Sequence, residues 1–139
     1  MLTVDASIWV AAFEPLDHFH APSVRFLATA TGQGWRFCAP ALMPLEVACA
    51  IARRAGKDGL GPAILDRLRG YPRLMLHPMD DQLLAEAARL GPANGLRAAD
   101  ALYAATAAIR KTPLITWDRE LLECAGALTP TGWLEAAGR

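Results

Sequence analysis

The chain has 139 residues, enough for one domain with a real core and too few for two. Hydrophobic residues make up 53% of it and charged residues 20%, which excludes a disordered chain. Acidic and basic residues balance at 14 each. That excludes nucleic-acid binding by bulk positive charge and leaves only a local basic cluster or a metal bridging to phosphate.

In chain order, Leu2–Val4 is a short apolar run and predicts a buried strand, followed at once by a helix over Ser7–Phe13 that Pro15 closes. Asp17–Thr31 carries Phe19, Val24, Phe26, Leu27 and Ala30 at helical spacing and predicts a helix stopped by Gly32 and Gly34. Trp35–Ala39 is the second predicted strand. Met43–Arg54 reads as a helix with Pro44 in its first turn and glycines behind it, and Ala63–Leu68 as a further helix ending at Gly70. Arg73–His77 predicts a third strand between Pro72 and Pro78. Asp80–Leu90 predicts a helix with an acidic first turn, stopped by Gly91-Pro92, and Ala98–Lys111 an Ala-rich helix of high propensity. Pro113–Thr116 is the fourth predicted strand, with a helix over about Asp118–Cys124 and a last short one over Gly132–Ala137.

Strands alternating with helices imply a parallel sheet with helices on both faces. Such sheets bind ligands beyond the carboxyl ends of their strands, where strand order reverses. The first and fourth predicted strands both run into an acid at that end, Asp5 and Asp118. The three cysteines, Cys38, Cys49 and Cys124, are odd in number and widely spaced, so neither a disulfide framework nor a zinc motif follows, and reduced thiols in a cytoplasmic protein are expected. The start MLTVDASIWV has no basic residue and carries an acid, so no secretory leader is expected, and no run of about 20 uncharged apolar residues predicts a membrane span. His18 and His20, two apart, do not share a helix face and do not make a metal pair. Trp9, Phe13, Phe19 and Phe26 read as core or as a face for a second copy.

Four acids stand out by their setting. Taken singly, Asp5, Glu46, Asp100 and Asp118 each lie near a predicted helix start, where a cap or the helix dipole accounts for an acid. But Asp5 follows Leu-Thr-Val and precedes Ile8-Trp9-Val10, Glu46 lies between Leu45 and Val47, and Asp100 sits in Ala98–Ala105, almost wholly small or apolar. A charge in such a run needs a partner, a metal or an edge of the core. If all four meet at one end of the sheet, two charges about 4 Å apart repel by roughly 4 kcal/mol at an effective dielectric of 20. A divalent cation removes that cost, and oxygen-only ligands select Mg²⁺ or Mn²⁺ over zinc or copper. The chemistry is then hydrolysis at phosphorus by a metal-activated water, which needs no Ser–His pair.

The runs Val4-Asp5-Ala6-Ser7, Pro44-Leu45-Glu46-Val47, Leu96-Arg97-Ala98-Ala99-Asp100-Ala101-Leu102-Tyr103 and Leu114-Ile115-Thr116-Trp117-Asp118-Arg119-Glu120-Leu121 resemble, in order, the four acidic motifs of PIN-domain nucleases. The length resembles the VapC-type toxins of toxin–antitoxin pairs, and the likeness runs from Leu2 to about Leu134. The resemblance implies a three-layer α/β/α sandwich around a central, mainly parallel sheet of about four to five strands, in a single domain over 1–139. It implies an endoribonuclease cutting single-stranded RNA, a homodimer, and inhibition by a small antitoxin that occludes the acidic cleft. Matched residue by residue, Asp5 and Asp100 are implied as direct metal ligands, Asp118 as a further ligand or water holder, and Glu46 as a ligand or the group that orients the attacking water. Thr116, and Ser7 beside it, are implied as hydroxyls supporting the cluster. Trp117 departs from the small polar residue many relatives carry there and offers a surface for stacking on a base. Arg97 and Arg119, with Arg110 and Lys111, flank the acidic motifs as candidate phosphate contacts. The rival expectations are a catalytically degenerate domain that only binds a partner protein, and a receiver-like phosphoryl-transfer protein. The latter would need a Lys after the last strand, which Pro113–Asp118 does not offer.

Overall fold

A computed structural model describes residues 1–139. The elements in chain order are β1 (Leu2–Val4), α1 (Ala6–Phe13), α2 (His20–Gly32), β2 (Phe37–Pro40), α3 (Met43–Ala55), α4 (Leu60–Arg69), β3 (Leu74–His77), α5 (Asp81–Ala93), α6 (Ala98–Arg110), β4 (Leu114–Ile115), α7 (Arg119–Cys124) and α8 (Pro130–Ala137). The four strands form one parallel sheet in the order β3-β2-β1-β4. Leu128 adds an isolated parallel bridge to Ile115, a rudiment of a fifth strand. The chain moves outward from β1 through β2 to β3, then crosses back to place β4 on the other side of β1. The order therefore reverses between β1 and β4, which puts the crevice for a ligand beyond those two strands.

Both faces of the sheet are covered, so the strands are buried rather than alternating: Leu2, Thr3 and Val4 are all fully buried. On one face Leu2, Val4, Phe37 and Ala39 meet Trp9 of α1, Phe26 of α2, Val47 of α3, Leu68 of α4 and Trp133 of α8. Trp9 takes Phe37 and Tyr71 edge-on, with ring centroids at 5.8 and 5.0 Å. Truncating such a residue to alanine costs about 3–5 kcal/mol, a large part of a domain's stability. On the other face α6 lies across β1, β2 and β4, and α5 packs outside it through Leu83, Ala87, Ala101, Leu102 and Ala105. The result is the three-layer α/β/α sandwich with a parallel sheet.

Three boundaries differ from the sequence expectation by three residues, and the rest by two at most. The helix expected from Asp17 begins at His20, because the Asp17 carboxylate accepts the Phe19 N–H at 2.8 Å and holds residues 17–19 in a turn. The helix expected from Ala63 begins a turn earlier, at Leu60. The helix expected to stop at Gly91-Pro92 runs on to Ala93. Gly91 is buried against α6, where a Cβ would lie 3.0 Å from that of Ala101, so this glycine serves close packing and does not end the helix. Pro92 falls in the last turn, where it forfeits one hydrogen bond, to the carbonyl of exposed Ala88. At the end of α3 the expected stop is real: Gly56 adopts φ +65, the left-handed conformation that closes a helix with least strain in glycine.

Candidate active site

The acid after β1 is the most enclosed. Asp5 is the N-cap of α1 and is 6% exposed. Its Oδ2 accepts from Ser7 Oγ at 2.6 Å, Thr116 Oγ1 at 2.8 Å and the Ser7 N–H at 3.3 Å. The two hydroxyls are themselves fixed: Ser7 Oγ accepts the Trp117 N–H at 3.1 Å, and Thr116 Oγ1 accepts the Asp118 N–H at 2.9 Å. Each hydroxyl has one proton and gives it to Asp5, so the arrangement requires an acceptor at Oδ2. Burial pushes the Asp5 carboxyl above the usual carboxylate range, the donated hydrogen bonds pull it back, and Asp118 adds to the rise.

Asp118 is the N-cap of α7, its Oδ1 accepting the Leu121 N–H at 3.0 Å. Asp100 lies in the first turn of α6 and is partly exposed. Burial raises its pKa, followed by repulsion from Asp118, Asp5 and Glu120, with Arg97 opposing. Glu46 lies in the first turn of α3, and its Oε1 accepts the Tyr103 hydroxyl at 2.7 Å. Burial again leads the upward shift, Tyr103 opposes it, and Asp5 and Asp100 add to it. Tyr103 is buried, and desolvation together with the Asp5 and Glu46 charges holds its phenol protonated well above its ordinary value.

Asp5, Glu46, Asp100 and Asp118 line one cleft of about 480 Å³, together with Ser7 and Trp117. Thr116 lies beneath it, fully buried, its hydroxyl bonded to Asp5 and to the Asp118 N–H. Arg119 is exposed at the start of α7, and Arg97 is exposed and 3.7 Å from Glu120. Trp117 has one face covered by Phe19, at 4.3 Å between centroids. Of the aromatics expected in the core, Trp9 and Phe26 are fully buried, while Phe19 is on the cleft wall. Arg110 turns away from the acids and donates to His77 Nδ1 at 2.9 Å.

A fifth acid joins the cluster. Carboxylate oxygens of Asp100, Asp118 and Glu120 lie within 4.8 Å of one another. Glu120 Oε2 is shielded from solvent and has no hydrogen-bond partner. The donors are all hard oxygens, and three crowded carboxylates faced only by the exposed Arg97 guanidinium, 3.7 Å from that Glu120 oxygen, leave an excess of negative charge that a divalent cation complements. The residues fit Mg²⁺ or Mn²⁺. Sequence reasoning passed over Glu120 and Tyr103. The signals were there: Glu120 stands two after Asp118 in the first turn of a helix, and Tyr103 three after Asp100, on the same helix face.

The fold has solved counterparts. VapC20 of Mycobacterium tuberculosis, a Sarcin-Ricin loop cleaving toxin, superposes with a TM-score of 0.78 at 17% identity, covering 92% of this chain and 97% of that one. FitAcB of Neisseria gonorrhoeae gives 0.70 at 19% identity, covering 96% and 99%. A chain of a toxin-antitoxin complex from Klebsiella pneumoniae gives 0.67 at 16% identity, covering 94% and 98%. No curated protein matches the sequence. The PIN domain profile matches residues 2–127, the span that carries the whole sheet and every acid of the cleft, and the chain belongs to the PIN domain family.

Proposed function

We propose that this chain is a Mg²⁺- or Mn²⁺-dependent endoribonuclease that cuts single-stranded RNA, one nuclease domain over residues 1–139, acting in the cytoplasm as the toxin of a toxin–antitoxin pair. The observation that carries the reading is the crowding of Asp5, Glu46, Asp100 and Asp118 in one cleft, with carboxylate oxygens of Asp100, Asp118 and Glu120 within 4.8 Å of one another. Asp5, Asp100 and Asp118 would hold the cation, with Glu46 and Glu120 as further carboxylates beside them. When bound, such an ion polarises a phosphoryl oxygen and makes water a better nucleophile.

The rest is done by the chain. Ser7 and Thr116 keep Asp5 in one rotamer with its charge compensated. Tyr103 fixes Glu46, whose raised pKa suits it to take a proton from the attacking water. The water oxygen bonds to phosphorus, its proton goes to Glu46, and the bridging P–O bond breaks, its leaving oxygen taking a proton from solvent. The likeness to a toxin and to a toxin-antitoxin complex supports the biological role and a small antitoxin partner over the cleft. Exposed Leu84 on α5 and Met79 before it supply apolar surface for pairing two copies.

The test is cleavage of total RNA by the purified chain. Cleavage is expected with Mg²⁺ or Mn²⁺, none with EDTA, and a loss of at least ~100-fold for Asp100→Asn, since removing even a group outside the ligand shell costs about 10- to 100-fold. Cleavage indifferent to EDTA and to Asp100→Asn would overturn the reading, and no cleavage at all would favour a domain that only binds a partner.

A further inference from the structure

One wall of the cleft is aromatic. Phe19 and Trp117 lie face to face, centroids 4.3 Å apart and planes 10° from parallel. Trp117 is anchored from behind: its indole N–H donates to Ser23 Oγ at 2.8 Å, Ser23 is fully buried, and the ring packs on the main core. Phe19 is the outer leaf, 37% exposed, with the His18 ring steeply inclined to it at 75°, centroids 4.9 Å apart. An exposed aromatic is ordinary on a protein surface. A rigidly backed one on the wall of an acid cleft is a platform.

The same turn holds the cleft's cation. Asp17 Oδ1 accepts the Phe19 N–H at 2.8 Å, and Asp17 Oδ2 accepts Arg54 Nη1 at 2.8 Å. Arg54, in the last turn of α3, is the only Arg or Lys lining the cleft. Its side chain is 49% exposed and spends one of five donors on Asp17, leaving the rest of the fork available. Elsewhere along the wall the carboxylates repel a phosphate; here a guanidinium can take one in the geometry it suits best.

A π surface and a free guanidinium edge on one rim match the two halves of a nucleotide. A paired base has both faces covered in its helix, so only an unpaired one can lie on the ring. We propose that Phe19, backed by Trp117, and Arg54, held by Asp17, form a subsite for one unpaired nucleotide flanking the scissile phosphate, with the base on Phe19 and the phosphate on Arg54. The subsite rests on the nuclease reading and names the form of its substrate. Every base has a π face, so this position selects an unstacked nucleotide rather than a particular sequence.

The test uses single-stranded RNA oligonucleotides with one abasic site stepped across the cleavage position, and the same sequence annealed as a duplex. Steady-state kinetics with Mg²⁺ are compared for the wild-type chain, Phe19→Leu, Phe19→Trp and Arg54→Gln. Phe19→Leu still covers Trp117 but presents no ring; it is expected to raise KM about 5- to 100-fold with kcat little changed, and Phe19→Trp to restore it. Arg54→Gln is expected to raise KM as well. One abasic position should cost the wild-type chain a similar factor and cost Phe19→Leu nothing further; this needs only the wild-type chain if a variant fails to fold. Wild-type KM for Phe19→Leu, no sensitive abasic position, or equal use of the duplex would overturn the subsite while leaving the nuclease reading intact. Cleavage of no RNA by the wild-type chain with either ion would overturn the nuclease reading and the subsite with it.

Discussion

At the scale of single residues, the site is an exercise in holding carboxylates where they do not want to be charged. Ser7 and Thr116 each spend their one proton on Asp5 and each take a backbone N–H in return, so neither can be replaced without orphaning two partners. Tyr103 does the same service for Glu46 and yields a distinct prediction. Its hydroxyl lowers the Glu46 pKa against burial, so Tyr103→Phe leaves Glu46 more easily protonated. If ionised Glu46 takes the proton of water, the acid limb of the pH–rate profile should move to higher pH. Activity should fall about 10-fold on the acid side and recover in alkali, whereas a loss equal at every pH would show that Tyr103 acts on packing alone. Of the four motif acids, Asp5, Glu46 and Asp100 stood out in the sequence because their apolar settings left each charge unexplained, and Asp118 because it follows the fourth strand. Phe19, Arg54 and Asp17 were not, since their meeting depends on a turn that interrupts an otherwise helical pattern.

At the scale of elements, the cleft depends on how closely α5 lets α6 approach. Asp100 and Tyr103 both ride on α6, and Gly91 of α5 sits where a Cβ would meet Ala101 at 3.0 Å. Gly91→Val should push the helices apart and destabilise the chain by about 1–3 kcal/mol, the usual cost of overpacking. Thermal unfolding measures it, and an unchanged midpoint would mean that the helix pair yields freely. This also explains where reading by local punctuation went astray. Gly91-Pro92 looks like a stop because both residues usually are, but tertiary contact decided the glycine and an exposed last turn tolerated the proline. The sheet, by contrast, was plain: short apolar runs, each bounded by proline, glycine or an acid, can be little else in a chain whose intervening segments are helical.

For the molecule as a whole, the dominant electrostatic fact is that Asp5, Glu46 and Asp100 all have pKa values raised in the folded state. Protonation therefore favours the fold. The stability from these groups is complete below the ordinary carboxylate values of about 4, and is lost as pH rises through the raised ones. A cation needs the ionised forms, so its stabilising effect should grow over that same rise. With Mg²⁺ at about 100 times its Kd, the unfolding midpoint near pH 7.5 should climb by roughly 5–10 °C, and the gain should shrink towards pH 4.5. His77, whose buried ring beside Arg110 disfavours its cation, titrates in the opposite sense but equally with and without the ion, so the difference isolates the acids. A gain equal at both pH values would place the ion elsewhere.

The central position of β1 has a consequence for how the protein comes into being. β1 is made well before β4, and one of its edges stays unpartnered until that strand arrives. Asp5 waits with β1, because Thr116 and Asp118 follow that last strand. A polypeptide interrupted before β4 thus holds Asp5, Glu46 and Asp100 but neither Asp118 nor the Thr116 hydroxyl, and the cluster forms only once that strand is in place.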